Sequence, residues 1–428
     1  MTKTAETGNI GKFEVYSNYG DPIDLSHGTV QLQYFESILD NTVRASMMVV
    51  ETGGGDNPAS SMDSDGANLT GGEKVHLNIS DNYENTLKFE DDNQFRVKSI
   101  RNVTEEANKV QYTLDLWSKE CQDNELVENR VSKRYDGLLS DSVKKIVSDV
   151  LKSPKEVTVD DTQNTLSFLG RVAKPFYKCH WLAKRSVPQG VKSAGYFFYE
   201  TSDGYQFRSI DKLFEEDVKK KFVYTNSTLL PDEYDAKILA SSFSSNVDVE
   251  QSLVTGSIFK TTLRATNLYD NKPRDNEADS KDQQNEETMG GKEFPKIASD
   301  VDLQSKSSRL VVKYDKKGVL PPGKDLEDQL KNAREDDYDI DSIIRQSFMR
   351  YNQLFTTKLS ITIAGDFSLR AGDIVHCDFP EVSEKSTSLV SHKKSGLYMI
   401  VDMCHLITTN KSFTKLNLVR ESIGRKPF

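Results

Sequence analysis

The sequence predicts a mainly β protein: two antiparallel β-barrels, one towards each end of the chain, with an α+β insertion between them. Three observations carry that reading. Two-residue alternation of apolar and polar side chains runs from Gly11 to Trp117 and returns from Thr357 to Arg420. Helical spacing is concentrated between Ser118 and Thr225, around a helix followed by a hairpin. The last three strands of the first β region also recur, in the same order, at the end of the second. The expected boundaries are 10–117 for the first barrel, 118–225 for the insertion, and 226–270 with 306–428 for the second barrel and a packed helix. Residues 271–305 are expected to form an acidic flexible loop.

In the first region, Thr29 to Glu36 and Val43 to Val50 read as strands joined by the polar turn Leu39 to Thr42. Thr52 to Gly72 is nearly free of apolar residues and reads as a long, mobile surface loop. Strands follow at Lys74 to Ile79, Thr86 to Phe89, Phe95 to Val103 and Val110 to Trp117. This many short strands with regular turns suggests a small barrel or sandwich.

Helices are expected from Ser118 to about Lys133 and from Ser140 to about Lys152, with Asp141 placed to suit the positive end of the second. A short strand at Val157 to Val159 precedes the stretch Lys174 to Asp211. There Pro175 opens a helix at its first position, where a preset φ helps and no amide is wasted. Phe176, Cys179, Leu182, Ala183 and Val187 share one face, Tyr177 and Trp181 cover the next arc, and mainly Lys178, Lys184 and Arg185 are left for water. Pro188 and Gly190 end the helix. Tyr196 to Tyr199, then Ser202-Asp203-Gly204, then Tyr205 to Arg208 read as a β-hairpin. Core packing accounts for Phe176, Trp181 and Phe198, and His180 reads as a packing histidine.

In the second region, Ile238 to Phe243 is a candidate strand, Asp248 to Leu253 a helical turn ending at Gly256, and Ser257 to Tyr269 a long strand. Asn271 to Lys292 is acidic and polar, a solvated excursion. A strand at Leu310 to Tyr314 and a weak helix at Leu326 to Arg334 follow. In the next helix, capped by Asp339 or Asp341, Ile340, Ile343, Ile344, Phe348 and Tyr351 share a face. The remaining strands are Thr357 to Ile363, Ile374 to Phe379, Gly396 to Thr408 and Ser412 to Arg420.

Composition narrows the function. The 428 residues are 36% hydrophobic and 9% aromatic, enough for folded cores. A net charge of −10 argues against sequence-independent nucleic-acid binding, which needs clustered Lys and Arg. Cys121, Cys179, Cys377 and Cys404 are far apart, without the spacing of a disulfide scaffold or a zinc ribbon, and a reducing cytosol is expected during assembly. The polar start MTKTAETGN has no signal-peptide core, and no apolar run is long enough to span a bilayer.

The repeat is the most informative feature. Gly72-Glu73-Lys74-Val75-His76 matches Gly372-Asp373-Ile374-Val375-His376, Phe95 to Val103 parallels Tyr398 to Leu406, and Tyr112 to Leu116 parallels Thr414 to Leu418. This reads as one β unit used twice. Three such chains closing a ring would display six similar barrels, letting a threefold object meet a sixfold one.

No catalytic, cofactor or metal site is expected. His376, Cys377, Cys404 and His405 are ligand types, but adjacent strand residues point to opposite faces, so at most two could converge. Glu215-Glu216-Asp217 and Asp336-Asp337 lie in charge-rich turns, and nothing selects a carboxylate pair for a glycan hydrolase. A hydrolase and a glycan- or receptor-binding β protein are the alternatives to a structural ring.

The KPFYKCHWLAKR helix and its YFFYETSDGYQFRSID hairpin resemble the central hub protein of contractile, T4-type phage baseplates, whose fold is shared by the N-terminal part of type VI secretion spike proteins. Asp248 to Asp270 and IAGDFSLRAGDIVHCDFPEV, Ile363 to Val382, look the same way. The motif residues are Pro175, Phe176, Trp181, Leu182, Tyr199, Gly204, Phe207, Gly256, Gly365, Leu369, Gly372 and Pro380, all structural. The resemblance covers most of the chain and is weakest in Thr52 to Gly72 and Asn271 to Pro322. It implies two tail-tube-like barrels in a homotrimeric, pseudo-sixfold ring. That ring would sit in the virion and be assembled in host cytoplasm, between the tail tube or its initiator and a separate spike protein. Baseplate wedge proteins would surround it and DNA would pass through it. An acidic lumen would suit that passage, since like charge limits adhesion to phosphate.

Overall fold

The computed structural model describes residues 8–17, 22–52, 69–106, 109–190, 193–227, 229–245, 260–267, 273–279, 310–315, 322–329, 331, 340–381, 390–391 and 393–422. The Thr52 to Gly72 loop for the most part, the turn at Asp248 to Leu253 and Gly256 lie outside the described residues.

The first region contains β1 (Asn9–Tyr16), β2 (Pro22–Asp24), β3 (Thr29–Ser37), β4 (Arg44–Thr52), β5 (Lys74–Ser80), β6 (Thr86–Phe89), β7 (Phe95–Glu106) and β8 (Lys109–Ser118). Alternation places Phe13, Leu32, Tyr34, Met47, Leu77, Phe89 and Leu114 in one core while their neighbours face out. The insertion follows: α1 (Lys119–Glu125), β9 (Arg134–Tyr135), α2 (Leu139–Lys145) running into a π turn at Ile146–Val150, β10 (Val157–Val159), β11 (Phe168–Leu169), α3 (Pro175–Ala183), β12 (Tyr196–Thr201), β13 (Gly204–Ser209) and α4 (Ile210–Phe214).

Three details of the insertion differ from expectation. α1 stops far short of Lys133. Leu126 turns extended, and the Asn129 amide and Arg130 guanidinium donate to the carbonyls of Asp123, Asn124 and Glu125 that a longer helix would have used. α3 ends at Ala183, before Pro188. On α3, Lys178 is buried and Tyr177 is 63% exposed, the reverse of the sequence reading. The Lys178 ammonium lies 4.5 Å from the Trp181 ring centroid and 5.3 Å from that of Phe168, and Arg185 covers Trp181 at 3.9 Å.

The second region holds β14 (Lys220–Val223), β15 (Ala236–Lys237), β16 (Ala240–Ser245), β17 (Lys260–Asn267), β18 (Pro273–Asp279), β19 (Leu310–Asp315), α5 (Ile340–Leu354), β20 (Thr357–Ala364), β21 (Ile374–Asp378), β22 (Gly396–Thr408) and β23 (Ser412–Arg420). β14 falls in the range expected for the insertion, yet it pairs with β21 and buries Phe222 in the second core. β18 lies in the stretch read as a solvated excursion, but pairs with β17 in a separate sheet with β19. An edge strand needs backbone partners on one side only, so the polar sequence does not prevent it. On α5, Ile343, Ser347, Arg350 and Gln353 are buried while Phe348 is 40% exposed. Arg350 pairs there with buried Asp211 of α4, which turns a polar edge of α5 inward.

The two barrels belong to one sheet. An antiparallel ribbon runs β7-β8-β4-β3-β22-β23-β20-β16. Within it the repeat holds residue by residue. Val75 pairs with Phe95 as Val375 pairs with Tyr398. The register shifts at Lys98 against β8 and at the corresponding Val401 against β23. Gly72 N–H donates to Val97 O at 2.8 Å, and Gly372 N–H to Ile400 O at 2.8 Å. Val97 N–H donates to Glu73 O at 3.0 Å, and Ile400 N–H to Asp373 O at 2.9 Å. Both glycines have positive φ, 86° and 98°, which a side chain would strain. The carboxylates of Glu73 and Asp373 each accept the N–H three residues back, from Thr70 and Arg370. A turn, a bulge and a cap shared in register make the two units equivalent, beyond the general likeness of antiparallel meanders.

Equivalence has an energetic consequence. Leu114 and Leu416 occupy matching inward positions and are 0% and 1% exposed. Leu114→Ala and Leu416→Ala should each cost about 2–5 kcal/mol. Thermal melts of the two variants should show losses of similar size, each larger than for an exposed control such as Leu239→Ala.

Candidate functional site at the barrel junction

The features that could act are concentrated where the two barrels and the insertion meet. β22 belongs to both barrels. Its first half pairs with β21 and its second half with β3, from Asp402 opposite Ser37 to Thr408 opposite Gln31, while β23 follows its other edge. The shift at Val401 marks the change of partner, and Ile38 N–H donates to Val401 O at 2.9 Å. Ser37 donates to the Asp402 carboxylate at the same point. His405, opposite Tyr34, stacks on that ring at 5.9 Å and lies 4.4 Å from Phe367. Burial, assisted by Arg370, pushes the His405 pKa down to about 3.

Glu36 ties three parts of the chain together. It is buried, and one carboxylate oxygen accepts from the Tyr34 hydroxyl at 2.7 Å and from Ser202 N–H at the insertion hairpin at 2.8 Å. The other accepts from Ala371 N–H of the second barrel at 3.0 Å. Burial raises the Glu36 pKa, against the pull of Arg370 and the backbone donors. Arg370 itself donates to both oxygens of Asp203 at the hairpin turn, at 2.9 and 3.1 Å. Asp81 makes a second barrel-to-barrel contact, accepting Phe367 N–H at 2.7 Å. Glu200 fixes the insertion to the first barrel by accepting Val43 N–H at 3.0 Å. Its other oxygen binds Lys155 at 2.6 Å, and Lys155 binds Glu120 at 2.7 Å. Burial opposes the charge on Lys155, but the two carboxylates outweigh it and raise its pKa.

Several of the motif residues converge here. Tyr199 and Gly372 touch: a Cβ on Gly372 would lie 2.4 Å from Tyr199 Oη. Leu369 is buried in the second core, and Gly365 donates to Ser412 O at 3.0 Å with no room for a side chain. Pro175, Phe176, Trp181, Leu182 and Phe207 pack within the insertion, and Gly204, with φ of 124°, lies against the Glu156 carbonyl. Pro380 is exposed and forms an isolated bridge with Val390. Sequence reasoning missed Glu36, Asp81, Glu200 and Arg370. A signal existed for Glu36, an acid at an inward position two residues beyond Tyr34 and four beyond Leu32.

Among the described residues no group of three or more His, Cys, Asp or Glu side chains could hold a metal. His376 lies 3.1 Å from Asp378, His405 contacts Thr414 at 2.9 Å, and His180 contacts Asn41 and the edge of Phe198. An open groove of about 650 Å³ crosses the outward face of the ribbon near Ser37 and Asp402. Each acid on its walls is engaged: Glu36 as above, Asp40 by Arg44, Asp115 by Ser46, Ser99 and Arg101, and Asp402 by Ser37. No described helix is long and apolar enough to cross a membrane.

Glu36→Gln leaves one of three buried donors without an acceptor and should cost about 1–3 kcal/mol. Limited proteolysis of Glu36→Leu, which removes the acceptor of all three donors, should cut the Ser202-Asp203 turn faster than that of the unsubstituted protein. The His405 shift predicts an acid dependence. Its folded pKa, about 3, lies below the ordinary ~6.5, so the unfolded chain takes up a proton that the folded chain refuses. Stability should therefore fall as pH drops from ~6.5 towards 3, with up to ~1.4 kcal/mol per pH unit from this residue. Urea midpoints of His405→Phe should show a flatter acid limb than those of the unsubstituted protein.

No protein-family model and no curated protein matches the chain. Solved structures do. A tail protein from Neisseria meningitidis MC58 aligns with a TM-score of 0.52 and 10% identity, over 96% of this chain and 97% of that one. The 43 kDa tail protein of prophage MuSo2 from Shewanella oneidensis aligns with a TM-score of 0.50 and 8% identity, over 96% and 99%. The E. coli c3393 protein, a component of the type VI secretion system, aligns with a TM-score of 0.42 and 7% identity, over 98% and 79%. At such identities the likeness is one of fold. The mainly β architecture with its inserted helices and hairpin is shared with the first two of these tail proteins, along nearly the whole chain.

Proposed function

We propose that this protein is a structural hub subunit of a contractile phage baseplate, three copies of which form a pseudo-sixfold ring between the tail tube and the central spike. The observation that carries the reading is the duplicated unit, with matching turn glycine, carboxylate cap and bulge in both halves of one ribbon. A chain containing two equivalent barrels needs only threefold symmetry to present six similar positions. Hydrogen bonds from Ser202 and Ala371 to the buried Glu36, with the exposed Arg370–Asp203 pair beside them, hold the halves and the insertion as one body, as a load-carrying adaptor requires.

The partners in this reading are two further copies of the chain, a tail spike protein, the tube or its initiator, and neighbouring wedge proteins. DNA would cross the ring in transit, and the protein would act in the virion after assembly in the host cytoplasm. The outward face of the ribbon would line the channel. That face carries amides and hydroxyls such as Gln33, Ser46, Thr113 and Asn417, with Arg44, Arg101, Lys358 and Lys415 beside Asp115 and Asp402. Among these residues four bases stand beside two acids, so the face is not acidic although the chain as a whole is. A structural rather than enzymatic role is supported by the engagement of every groove acid.

Light scattering on the purified protein should give the mass of a trimer, and negative-stain averages should show a ring of six similar lobes around a hole. A monomer at all concentrations, with or without a spike protein added, would sink the proposal.

A further inference from the structure

Three ionisable side chains from separate parts of the chain meet inside the insertion. Glu120 comes from α1, Glu200 from β12, and Lys155 from the loop between the π turn and β10. Their side chains are 1%, 0% and 4% exposed, so one ammonium and two carboxylates are held out of water. The loop is fixed from both sides. Lys155 N–H donates to Ser153 Oγ at 3.2 Å, and the Ser153 hydroxyl donates to Glu120 Oε1 at 2.7 Å. Tyr205, opposite Glu200 on the hairpin, donates its N–H to Glu156 O at 2.8 Å. Gly204 permits that approach, since a Cβ there would lie 2.4 Å from the same oxygen. Lys155 Nζ is thereby placed 2.6 Å from Glu200 Oε1 and 2.7 Å from Glu120 Oε2.

One carboxylate would suffice to neutralise the lysine, and a second adds a buried charge that must be carried. The two acids are held differently. Glu200 Oε2 accepts the main-chain N–H of Val43 at 3.0 Å, a donor aimed where negative charge would develop on an attacked carbonyl. Burial raises the Glu200 pKa, and Glu120 raises it further against the pull of Lys155, so Glu200 is the acid disposed to hold a proton. Glu120, steadied by the Ser153 hydroxyl, touches the amine and can take up and return protons.

We propose that Lys155 and Glu200 join in an amide bond, formed by the folded chain itself with Glu120 as proton carrier. Lys155 passes a proton to Glu120, and the neutral Nζ attacks Cδ of protonated Glu200. The C–N bond forms as the carbonyl electron pair moves onto Oε2, where Val43 N–H stabilises it. Glu120 then gives its proton to Oε1, which departs as water, and takes the surplus proton from the nitrogen. An ammonium and a carboxylate are consumed, an amide and one water are produced, and nothing is oxidised or reduced. Fixed neighbours substitute for concentration, and the product removes a buried ion pair. The bond ties the loop before β10 to the hairpin and closes a covalent ring through α3.

The test is the intact mass of the purified full-length protein after denaturation, followed by tryptic mapping. Most chains should be lighter by one water than the sequence requires, and residues 153–171 and 193–208 should run as one joined peptide, with fragmentation placing the bond at Lys155 and Glu200. Lys155→Arg and Glu120→Gln should restore the full mass, with circular dichroism showing that they fold. Glu200→Gln should give the same joined peptide, now by losing ammonia, because the acyl carbon is unchanged. An unsubstituted chain of full mass would overturn the proposal without recourse to any variant. So would a water lost from either peptide without a join, as from cyclisation at Asp203-Gly204, or a join made to Glu120. Glu120→Gln linking as fully as the unsubstituted protein would overturn the part given to Glu120.

Discussion

The buried carboxylate of Glu36 is the constraint on which the arrangement of this chain depends. A carboxylate removed from water must be matched by donors, and the donors here come from Tyr34, the insertion hairpin and the second barrel. Withdrawing any one of the three segments would expose an unpaired charge in an apolar setting. The position of the insertion relative to the barrels is therefore set by electrostatics as well as by packing. Lys155 between Glu120 and Glu200 repeats the device on the other side of the hairpin, where the same strand β12 is fixed to the turn preceding β4.

Those polar fixtures differ in kind from the seam between barrels. Along β22 and β3 the joint is made of backbone hydrogen bonds that any sequence could supply, with register chosen by inward residues such as Tyr34 and His405. The seam sets how the barrels are spaced, and the carboxylates set how the insertion sits upon them.

Much of the fold was legible because it rests on local periodicity. The strands of both barrels alternate in sequence, Pro175 marks the start of α3, and the repeat of Gly72 to His76 in Gly372 to His376 foretold a shared turn geometry. What escaped depends on residues distant in sequence. Lys178 looks solvent-facing on a helical wheel, and only Phe168 of β11 and Trp181 make its burial tolerable. The buried face of α5 could not be read from apolar spacing, since Arg350 turns inward towards Asp211, which lies on α4. β14 looked like the tail of the insertion because a four-residue strand carries no information about its partner. Glu36 was readable only as an anomaly of parity, and its partners were not readable at all.

The two units also differ at one matching place. β3 and β4 are joined by a short turn at Leu39 to Thr42, whereas between their counterparts β16 and β20 the chain makes β17, β18, β19 and α5. Fusing two copies of a module in one gene frees each copy to mutate separately. The wall-forming strands can stay alike while one loop grows an entire subdomain and its twin stays minimal. Around a ring built from such chains, appendages would alternate large and small, so that the periphery would keep a three-way rhythm while the inner wall approaches a six-way one.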